Sequence, residues 1–413
     1  MMLVVALAAN SIGRADSAAL YGIHWWGYTQ GQSIDQTPAT LLDCPAYGGW
    51  DLETLLTHEG YFWGPWYILP LYAHLATQQN MTVITRVDYR WSETVPAPGN
   101  PDSPGWPAAV VDLVNTLADF CHIWVIGNEP NHIGAYEHWP DGTIPPADYA
   151  AIYRSVRNAI HTSARSSRLG PHVVLFTPVA PNPTSNDWLA EAIDAVPHEE
   201  IDGFAIHAYA RMWISFHDQF ASQLQVIDAK GLRDRPVYMT EMGIYAQPGN
   251  LTEEAAAAAF CREAFADVNT WNQGLGHHNI IGMTWFVYDS NQQNTGIWNP
   301  FSVEYYLGEG YPLGDPNDLF TAFEQTVDMR YPAGLVGTRG WPVPADFDRD
   351  GDVDAADFDH FRDCATGPAI PQWLSDCLDT RLDSDVDVDQ MDFAIFQRCF
   401  SGQGRSADPL CRW

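Results

Sequence analysis

The sequence predicts an α/β fold, a (β/α)₈ barrel of parallel strands, followed by a small acidic helical domain. The chain has 413 residues, enough for one large barrel and an appendage. Eight near-continuously apolar segments lie between residues 21 and 288, and helical patterns separate most of them. Beyond about residue 340 the composition changes sharply, because aspartate dominates and a motif repeats.

The eight apolar segments are typical of parallel strands that are buried on both faces. They are YGIHWWGY (21–28), WDLETLLT (50–57), MTVITRVDY (81–89), HIWVIGNEP (122–130), HVVLFTPVAP (172–181), GFAIHAYA (203–210), PVYMTEMG (236–243) and IIGMTWFVY (280–288). Helical patterns occupy 66–79, 146–162 and 252–269, and Thr252 with the two following glutamates predicts the N-terminus of the third. Eight such units predict a TIM barrel.

Composition divides the chain into four predicted segments. Residues 1–19 hold a short apolar run followed by small residues, which predicts a signal peptide or a plain N-terminal tail. Residues 20–333 form the predicted barrel, 334–344 a linker rich in Gly and Pro, and 345–413 the acidic domain. The apolar run is far too short to span a bilayer, and no other segment predicts a membrane span.

Charge and cysteine usage exclude several classes of function. The formal net charge is −32, which argues against nucleic acid as a partner. The single lysine, Lys230, lies in a polar stretch, which argues against Schiff-base chemistry. Four of the seven cysteines, at positions 364, 377, 399 and 411, crowd the acidic domain and predict disulfides and a secreted or cell-surface location. Three pairings are open, and we favour Cys364 with Cys377 and Cys399 with Cys411.

Active sites of such barrels lie at the carboxyl ends of the strands. Glu129 follows the fourth predicted strand and Glu241 lies near the end of the seventh. Two carboxylates that face each other across a pocket are typical of the catalytic site of a glycosidase. Other polar or aromatic side chains at strand ends are His24, Trp25, Arg86, Asp88, Asn128, His207, Tyr209 and Trp285. Asp88 and Glu137 are the alternative carboxylates if Glu129 is not the acid.

The segments GNEPN (127–131) and YMTEMG (238–243) resemble the two signature motifs of clan A of the retaining glycoside hydrolases. That clan includes cellulases, β-mannanases, β-xylosidases and β-galactanases. The resemblance implies that Glu129 is the acid/base and that Glu241 is the nucleophile. It also implies that Asn128 binds the substrate 2-hydroxyl.

The same resemblance assigns roles to further strand-end residues. Tyr209 would donate a hydrogen bond to the nucleophile, and Trp285 would floor the subsite of the cleaved sugar. Arg86 is expected to help keep the nucleophile ionised. Apart from the resemblance, the strand-end positions of His207 and Trp25 predict contact with sugar, with a structural histidine and core or loop packing as the respective alternatives.

The acidic domain contains a pattern typical of an EF-hand calcium loop. Oxygen-bearing side chains stand at loop positions 1, 3, 5, 9 and 12, and Gly351 stands at position 6. These positions are Asp346, Asp348, Asp350, Asp354 and Asp357. The second copy keeps positions 3, 5, 9 and 12 as Asp383, Asp385, Asp389 and Asp392, but Arg381 and Val386 replace the first aspartate and the glycine. We expect structural Ca²⁺ here and no cofactor for catalysis.

The paired loops resemble a dockerin, the duplicated calcium module that attaches enzymes to cohesin-bearing scaffolds. The resemblance covers residues 345–402 and implies a cohesin-like or cell-surface partner. The added cysteines and the altered second loop depart from that pattern, so a stabilising module is an equal alternative.

Together these patterns predict a secreted retaining glycoside hydrolase that acts on a β-linked polysaccharide or oligosaccharide by double displacement. One alternative is a barrel that binds glycan without cleaving it and is displayed through the acidic domain. The other is a transglycosylase that uses the same site and passes the sugar to another sugar.

Overall fold

The computed structural model divides the chain into two compact units. One comprises Asp16–Ser167 and Pro171–Trp341, and the main segment of the other is Pro342–Trp413. The residues that the structure describes are 16–17, 19–25, 49–58, 65–77, 81–90, 93–132, 139, 142–210, 212, 214–246, 250–274, 276–286, 318–334, 345–347, 352–383, 385–403, 405 and 411.

The first unit is a closed barrel of eight strands in sequence order, and every neighbouring pair is parallel. The strands are β1 (Gly22–Trp25), β2 (Gly49–Leu56), β3 (Met81–Asp88), β4 (Cys121–Ile126), β5 (Val173–Phe176), β6 (Gly203–Tyr209), β7 (Val237–Gly243) and β8 (Gly282–Phe286). Each falls within or beside one of the eight predicted segments, so the predicted (β/α)₈ barrel is confirmed.

Helices follow the strands around the outside of the barrel. They are α1 (Pro65–Thr77), α2 (Trp106–Leu117), α3 (Pro146–Ser163), α4 (Ser185–Asp194), α5 (Phe216–Ala229), α6 (Leu251–Asn272) and α7 (Leu319–Asp328). The N-cap of α6 is Asn250, whose side chain accepts a hydrogen bond from the Glu253 amide. The prediction that Thr252 starts this helix was therefore wrong, because an asparagine two residues earlier provides the capping oxygen.

Apolar side chains fill the amino-terminal end of the barrel. Trp50, Leu52, Ile84, Leu175 and Tyr238 belong to one buried cluster inside it. A Cβ at position 282 would lie 2.5 Å from Trp50 Nε1, so glycine there makes room for the indole. A larger cluster packs between strands and helices. Among the described residues, the amino-terminal half of the barrel interior is thus packed with large apolar side chains.

Strand β2 also carries two buried acids on its helix-facing side. Asp51 and Glu53 alternate with the inward-facing Trp50 and Leu52, and their residues are 0% and 7% exposed. Burial raises the pKa of Asp51 to about 8, although a hydrogen bond from Glu53 opposes the shift. Burial and the charge of Asp51 raise the pKa of Glu53 well above its usual range. Both acids are therefore harder to ionise in the folded protein than in the unfolded chain.

The second unit contains two helices that begin in the same way. Helix α8 (Ala355–Cys364) has a capping box of Asp354 and Asp357, and α9 (Gln390–Cys399) has one of Asp389 and Asp392. Phenylalanines from both helices pack together between them. The disulfides are Cys364–Cys377 and Cys399–Cys411, which confirms the favoured pairing.

Each repeat of this unit is tied to residues that follow the other repeat's helix. The Val353 amide donates to Ser401 Oγ, and its carbonyl accepts from the amides of Ser401 and Gly402. Val388 makes the same three bonds with Thr366 and Gly367. Across the described parts of both units, no helix combines the length and the apolar character needed to cross a bilayer.

Candidate active site

Glu241 is the centre of a buried polar cluster at the carboxyl ends of the strands. Its residue is 5% exposed. Arg86 Nη1 lies 2.5 Å from Oε1, and the Tyr209 hydroxyl donates to Oε2 at 2.5 Å. His24 Nδ1 and His207 Nδ1 each lie 3.6 Å from one of the two oxygens. Arg86 and Tyr209, both named from the sequence, thus each contact one oxygen of Glu241.

Irregular strand pairing brings these groups together. The register between β6 and β7 shifts at Ile206/His207, which places His207 opposite Glu241. The register between β7 and β8 also shifts, between Met239 and Met242. Such bulges re-aim side chains beside active sites. Here the shift brings the Glu241 carboxylate among side chains that the barrel interior presents.

The surroundings of Glu241 favour its ionised form. Burial alone would raise the pKa of Glu241, but the electrostatic influence of His207, Arg86 and His24 and the hydrogen bond from Tyr209 outweigh it and lower the pKa to about 2. Burial lowers the pKa of His24 to about 3, against the attraction of Glu241, so its imidazole is neutral at pH 7. Arg86 is then the cation that stays charged beside Glu241 at every working pH.

Glu129 lies beside Glu241 on the turn that follows β4. Its φ is +38°, a left-handed conformation that few residues other than glycine adopt. His207 Nδ1 lies 2.8 Å from Glu129 Oε1, and the imidazole is fully buried. One oxygen of Glu129 and one of Glu241 lie within 4.8 Å of each other. The Glu129 side chain is 14% exposed against 7% for Glu241, so Glu129 is the more accessible carboxylate.

The structure places two expected aromatic residues differently. Trp285 is fully buried and packs against Phe260 of α6, on the helix side of β8. The expectation that Trp285 floors the sugar subsite is therefore corrected, since successive side chains of a strand point to opposite faces. Phe286 faces the site instead, 5.2 Å from the His24 ring and 6.4 Å from the Tyr209 ring by centroids. Trp25 ends β1, but its side chain lies outside the described residues.

The remaining strand-end residues lie close behind the two glutamates. Asn128 is 3% exposed and directly precedes Glu129. Asp88 Oδ2 lies 3.2 Å from Arg86 Nε, so this alternative carboxylate is paired with an arginine. Glu137, the other alternative, lies outside the described residues. Thr94, which donates to Asp88 at 2.9 Å, carried no signal in the sequence because it lies in a loop.

In the acidic unit, carboxylates gather at the start of each helix. Oxygens of Asp352, Asp354 and Asp357 lie within 4.8 Å of one another, as do those of two sets in the second copy. The two sets are Asp383, Asp385 and Asp392, and Asp387, Asp389 and Asp392. Asp346 is 9% exposed, whereas Asp348 and Asp350 lie outside the described residues.

Asp352 and Asp387 were not among the predicted ligands. They stand at loop position 7, where an EF-hand uses a backbone carbonyl, so the pattern gave no reason to include their side chains. Alternation of aspartate with other residues through both loops was the signal that could have included them.

Much of the barrel matches a known protein family. Residues 78–303 match the model of a family described as glycosyl hydrolase catalytic core. A search of functionally curated proteins gave no significant match.

Among solved structures, a glucosidase from Croceicoccus marinus is 13% identical with a TM-score of 0.51, over 76% of this chain and 68% of its own. The endo-β-1,4-glucanase of Xanthomonas axonopodis pv. citri is 12% identical, with a TM-score of 0.48 over 75% and 100% of the two chains. A fungal β-1,4-galactanase is 15% identical, with a TM-score of 0.46 over 65% and 89%.

The barrel and the family match define an O-glycosyl hydrolase. The family model covers more than half of the chain, and the chain belongs to the glycosyl hydrolase catalytic core family.

Proposed function

We propose that this enzyme hydrolyses a β-linked glycan with retention of anomeric configuration, with Glu241 as nucleophile and Glu129 as acid/base. The observation that carries the proposal is the short separation of the two carboxylates, whose nearest described oxygens lie within 4.8 Å. Retaining enzymes hold their carboxyl groups about 5–5.5 Å apart, whereas inverting enzymes need about 6.5–9.5 Å to admit water.

In the first half-reaction a carboxylate oxygen of Glu241 attacks the anomeric carbon. The bond from that carbon to the glycosidic oxygen breaks, and the leaving oxygen takes a proton from Glu129. The division of roles follows from the surroundings. Glu241 is ionised by Arg86 and Tyr209, and Glu129 has the greater exposure that proton exchange with solvent requires.

In the second half-reaction Glu129 removes a proton from water, and the water oxygen displaces Glu241 from the anomeric carbon. Esterification cancels the negative charge of Glu241, so Glu129 no longer faces a second charged carboxylate while it acts as a base. His207 contacts Glu129 and lies near Glu241, which lets it hold both side chains in place during this exchange.

Tyr209 stays protonated throughout this cycle. Burial and the charges of Glu241 and Glu129 raise the pKa of Tyr209 well above its usual range. The phenol therefore remains a hydrogen-bond donor to Glu241. As the ester forms, that bond weakens, and the hydroxyl becomes free to face the sugar ring.

The test is reducing-sugar release from a panel of β-glucans, mannans, xylans and galactans with calcium present. Wild type is compared with Glu241→Gln and Glu129→Gln, and the anomeric form of the first product is followed by proton NMR. We expect β-product from the wild type, no release by Glu241→Gln, and a loss of about 10²–10⁴-fold for Glu129→Gln. α-Product would exclude retention, and an active Glu241→Gln would exclude Glu241 as nucleophile.

The same panel addresses the two alternatives. Wild type that retains a glycan on a pull-down but releases nothing from any member would favour the non-cleaving barrel. Longer oligosaccharides among the products would favour transglycosylation.

We propose further that the acidic unit binds structural Ca²⁺. The donor set suits a hard cation, since it consists of carboxylate oxygens. Asp357 and Asp392 are 1% and 0% exposed, and Asp387 Oδ1 is buried with no hydrogen-bond partner among the described atoms. Ca²⁺ would be held by Asp346, Asp348, Asp350, Asp354 and Asp357 in the first copy and by Asp383, Asp385, Asp389 and Asp392 in the second, where the structure adds Asp387 as a further candidate. It would neutralise carboxylates that otherwise repel one another.

Secretion and attachment complete the proposal. Two disulfides in one small unit support an oxidising compartment. Attachment to a cohesin-like or cell-surface partner through this unit rests on the dockerin-like repeat. Pull-down with cohesin domains in calcium, repeated in chelator, tests it. Capture that is lost in chelator would support attachment, and absence of capture in calcium would favour a stabilising module.

A further inference from the structure

The turn that carries Glu129 has an unfavourable backbone. Gly127 has a φ of +78° and Glu129 a φ of +38°. A residue other than glycine is strained in such a conformation, which persists only where its surroundings hold it. The Gly127 amide donates to Val87 O at 3.0 Å, and the His132 amide donates to Glu129 O at 2.8 Å. Between these bonds, the Asn128 amide donates to the hydroxyl of Thr94.

Thr94 is suited to this position because a hydroxyl accepts and donates at once. Its oxygen accepts from the Asn128 amide, and its proton goes to Asp88 Oδ1 at 2.9 Å. The residue is 2% exposed, so water is not available to replace either bond. Its carbonyl accepts from the Tyr89 amide at 2.8 Å, which fixes the loop to the end of β3.

Asp88 extends this connection to the other glutamate. Its second oxygen, Oδ2, lies 3.2 Å from Arg86 Nε, and Arg86 Nη1 lies 2.5 Å from Glu241 Oε1. All three side chains are at least nine-tenths buried. An unbroken polar chain thus runs from Glu241 through Arg86, Asp88 and Thr94 to the backbone of the residue before Glu129.

We propose that Thr94 and Asp88 are positioning residues that set the separation of the two glutamates by anchoring the Glu129 turn to the arginine that holds Glu241. His207 lies near the carboxylate oxygens of both glutamates. The series of contacts through Arg86, Asp88 and Thr94 instead connects Glu241 with the backbone of the turn that carries Glu129. The inference rests on the proposed roles of Glu129 and Glu241. Neither Thr94 nor Asp88 touches substrate in this proposal.

The test compares Thr94→Val, which keeps the shape but removes both hydrogen bonds, with Thr94→Ser, which keeps the hydroxyl. Full-length variants are assayed on the polysaccharide that the wild type cleaves and on a dinitrophenyl β-oligosaccharide of the same sugar. Dinitrophenolate leaves without needing a proton. If Glu129 is displaced, the glycosylation step therefore slows on the polysaccharide but not on the aryl substrate.

We expect Thr94→Val to lose about 10–100-fold in kcat on the polysaccharide. We expect a much smaller loss of glycosylation rate on the aryl substrate, and recovery of its turnover with added azide, which needs no base. Thr94→Ser should lie within about threefold of the wild type, since it keeps the hydroxyl that organises the turn.

Two results would overturn the inference. One is a wild-type kcat of Thr94→Val on the polysaccharide. The other is a loss of activity that is equal on the two substrates and equally large in Thr94→Ser. If Thr94→Val does not fold, Asp88→Asn replaces it. Asp88→Asn should lose less activity on the aryl substrate than on the polysaccharide, and its pH profile of kcat should differ from that of the wild type. A wild-type ratio of the two activities together with a wild-type pH profile would count against the inference. Glu241→Gln is run beside them, because activity in that variant would instead overturn the proposed function.

Discussion

Tyr209 donates its hydroxyl to Oε2 of Glu241 at 2.5 Å, so one oxygen of the proposed nucleophile is held by a neutral donor and the other by Arg86. The two contacts differ in kind. Arg86 stabilises the carboxylate through its charge, whereas the phenol bond to Glu241 is strongest before the ester forms.

Replacing Tyr209 with phenylalanine should therefore weaken ionisation of Glu241. A hydrogen bond to a charged group contributes about 1.5–3 kcal/mol. We expect kcat/KM to fall about 10–100-fold. The acidic limb of its pH profile should move upward, because the pKa of Glu241 rises when a donor to the carboxylate is removed. Tyr331→Phe, away from the cluster, is the control. An unmoved acidic limb in Tyr209→Phe would contradict this account of the nucleophile.

Phe286 and Trp285 should separate binding from stability. Phe286 faces the His24 and Tyr209 rings, so Phe286→Ala should raise KM or lower kcat by about tenfold or more, since a buried aromatic contact is lost. Trp285→Ala should instead lower the free energy of unfolding by about 3–5 kcal/mol, because it empties space against α6. Thermal melts and steady-state kinetics on both variants check this. Reversed effects would mean that Trp285 does face the sugar.

The buried acids on β2 make stability depend on pH. The folded-state pKa of Asp51 is about 8, above the value of about 3.9 in an unfolded chain. Its protonated form therefore stabilises the fold fully below about pH 4, and this contribution is lost as pH rises towards 8. Asp51→Asn stays neutral, so it should melt roughly 3 °C or more above wild type at pH 9 and close to it at pH 5. The exposed Asp112→Asn is the control, and equal melting at both pH values would argue against a buried proton.

Calcium should stabilise the acidic unit and leave the barrel unchanged. Chelator should lower the melting temperature of that unit, and added Ca²⁺ should restore it by mass action. Asp357→Asn and Asp392→Asn each remove a buried carboxylate that we propose as the ligand at position 12 of one loop. Calorimetric titration of the two variants would show which loop binds, with one site expected to remain in each. Unchanged binding in both would move the calcium site elsewhere.

Reduction of the disulfides should unfold the acidic unit before the barrel. The bridges join cysteines 13 and 12 residues apart, and closing loops of this length contributes about 3 kcal/mol each. Thermal melts with and without reductant, together with the rate of sugar release, measure the two units separately. Loss of hydrolysis at temperatures where only the acidic unit has melted would contradict their independence.

The strand order and the identities of the residues around Glu241 could be predicted from sequence, because each depends on local pattern. Buried parallel strands leave long apolar runs, and polar residues at their ends stand out against them. Arg86 and Tyr209 were found in this way. The disulfide pairing could also be predicted, since pairing each cysteine with a neighbour in sequence closes the shortest loops.

The direction of side chains at strand ends could not be predicted in the same way. Trp285 and Phe286 are adjacent, and one residue of register decides which of them faces the site. The register shift between β7 and β8 leaves no mark in a run of apolar residues. Thr94 was missed for a related reason. A threonine in a loop acquires its meaning only from the amide and the carboxylate that the fold brings to it.

The crossed bonds of Val353 and Val388 have a consequence for where the chain can be cut. The first loop is held at Val353 by Ser401 and Gly402, which follow the second repeat's helix, in addition to the bonds that Asp357 of its own repeat accepts. Trimming the chain after Cys399 would thus release the beginning of the module while leaving the bonds between Val388 and Thr366 intact. Each repeat is hydrogen-bonded to residues that follow the other repeat's helix. A single repeat, cut out of the chain, therefore loses the bonds that the other repeat provides.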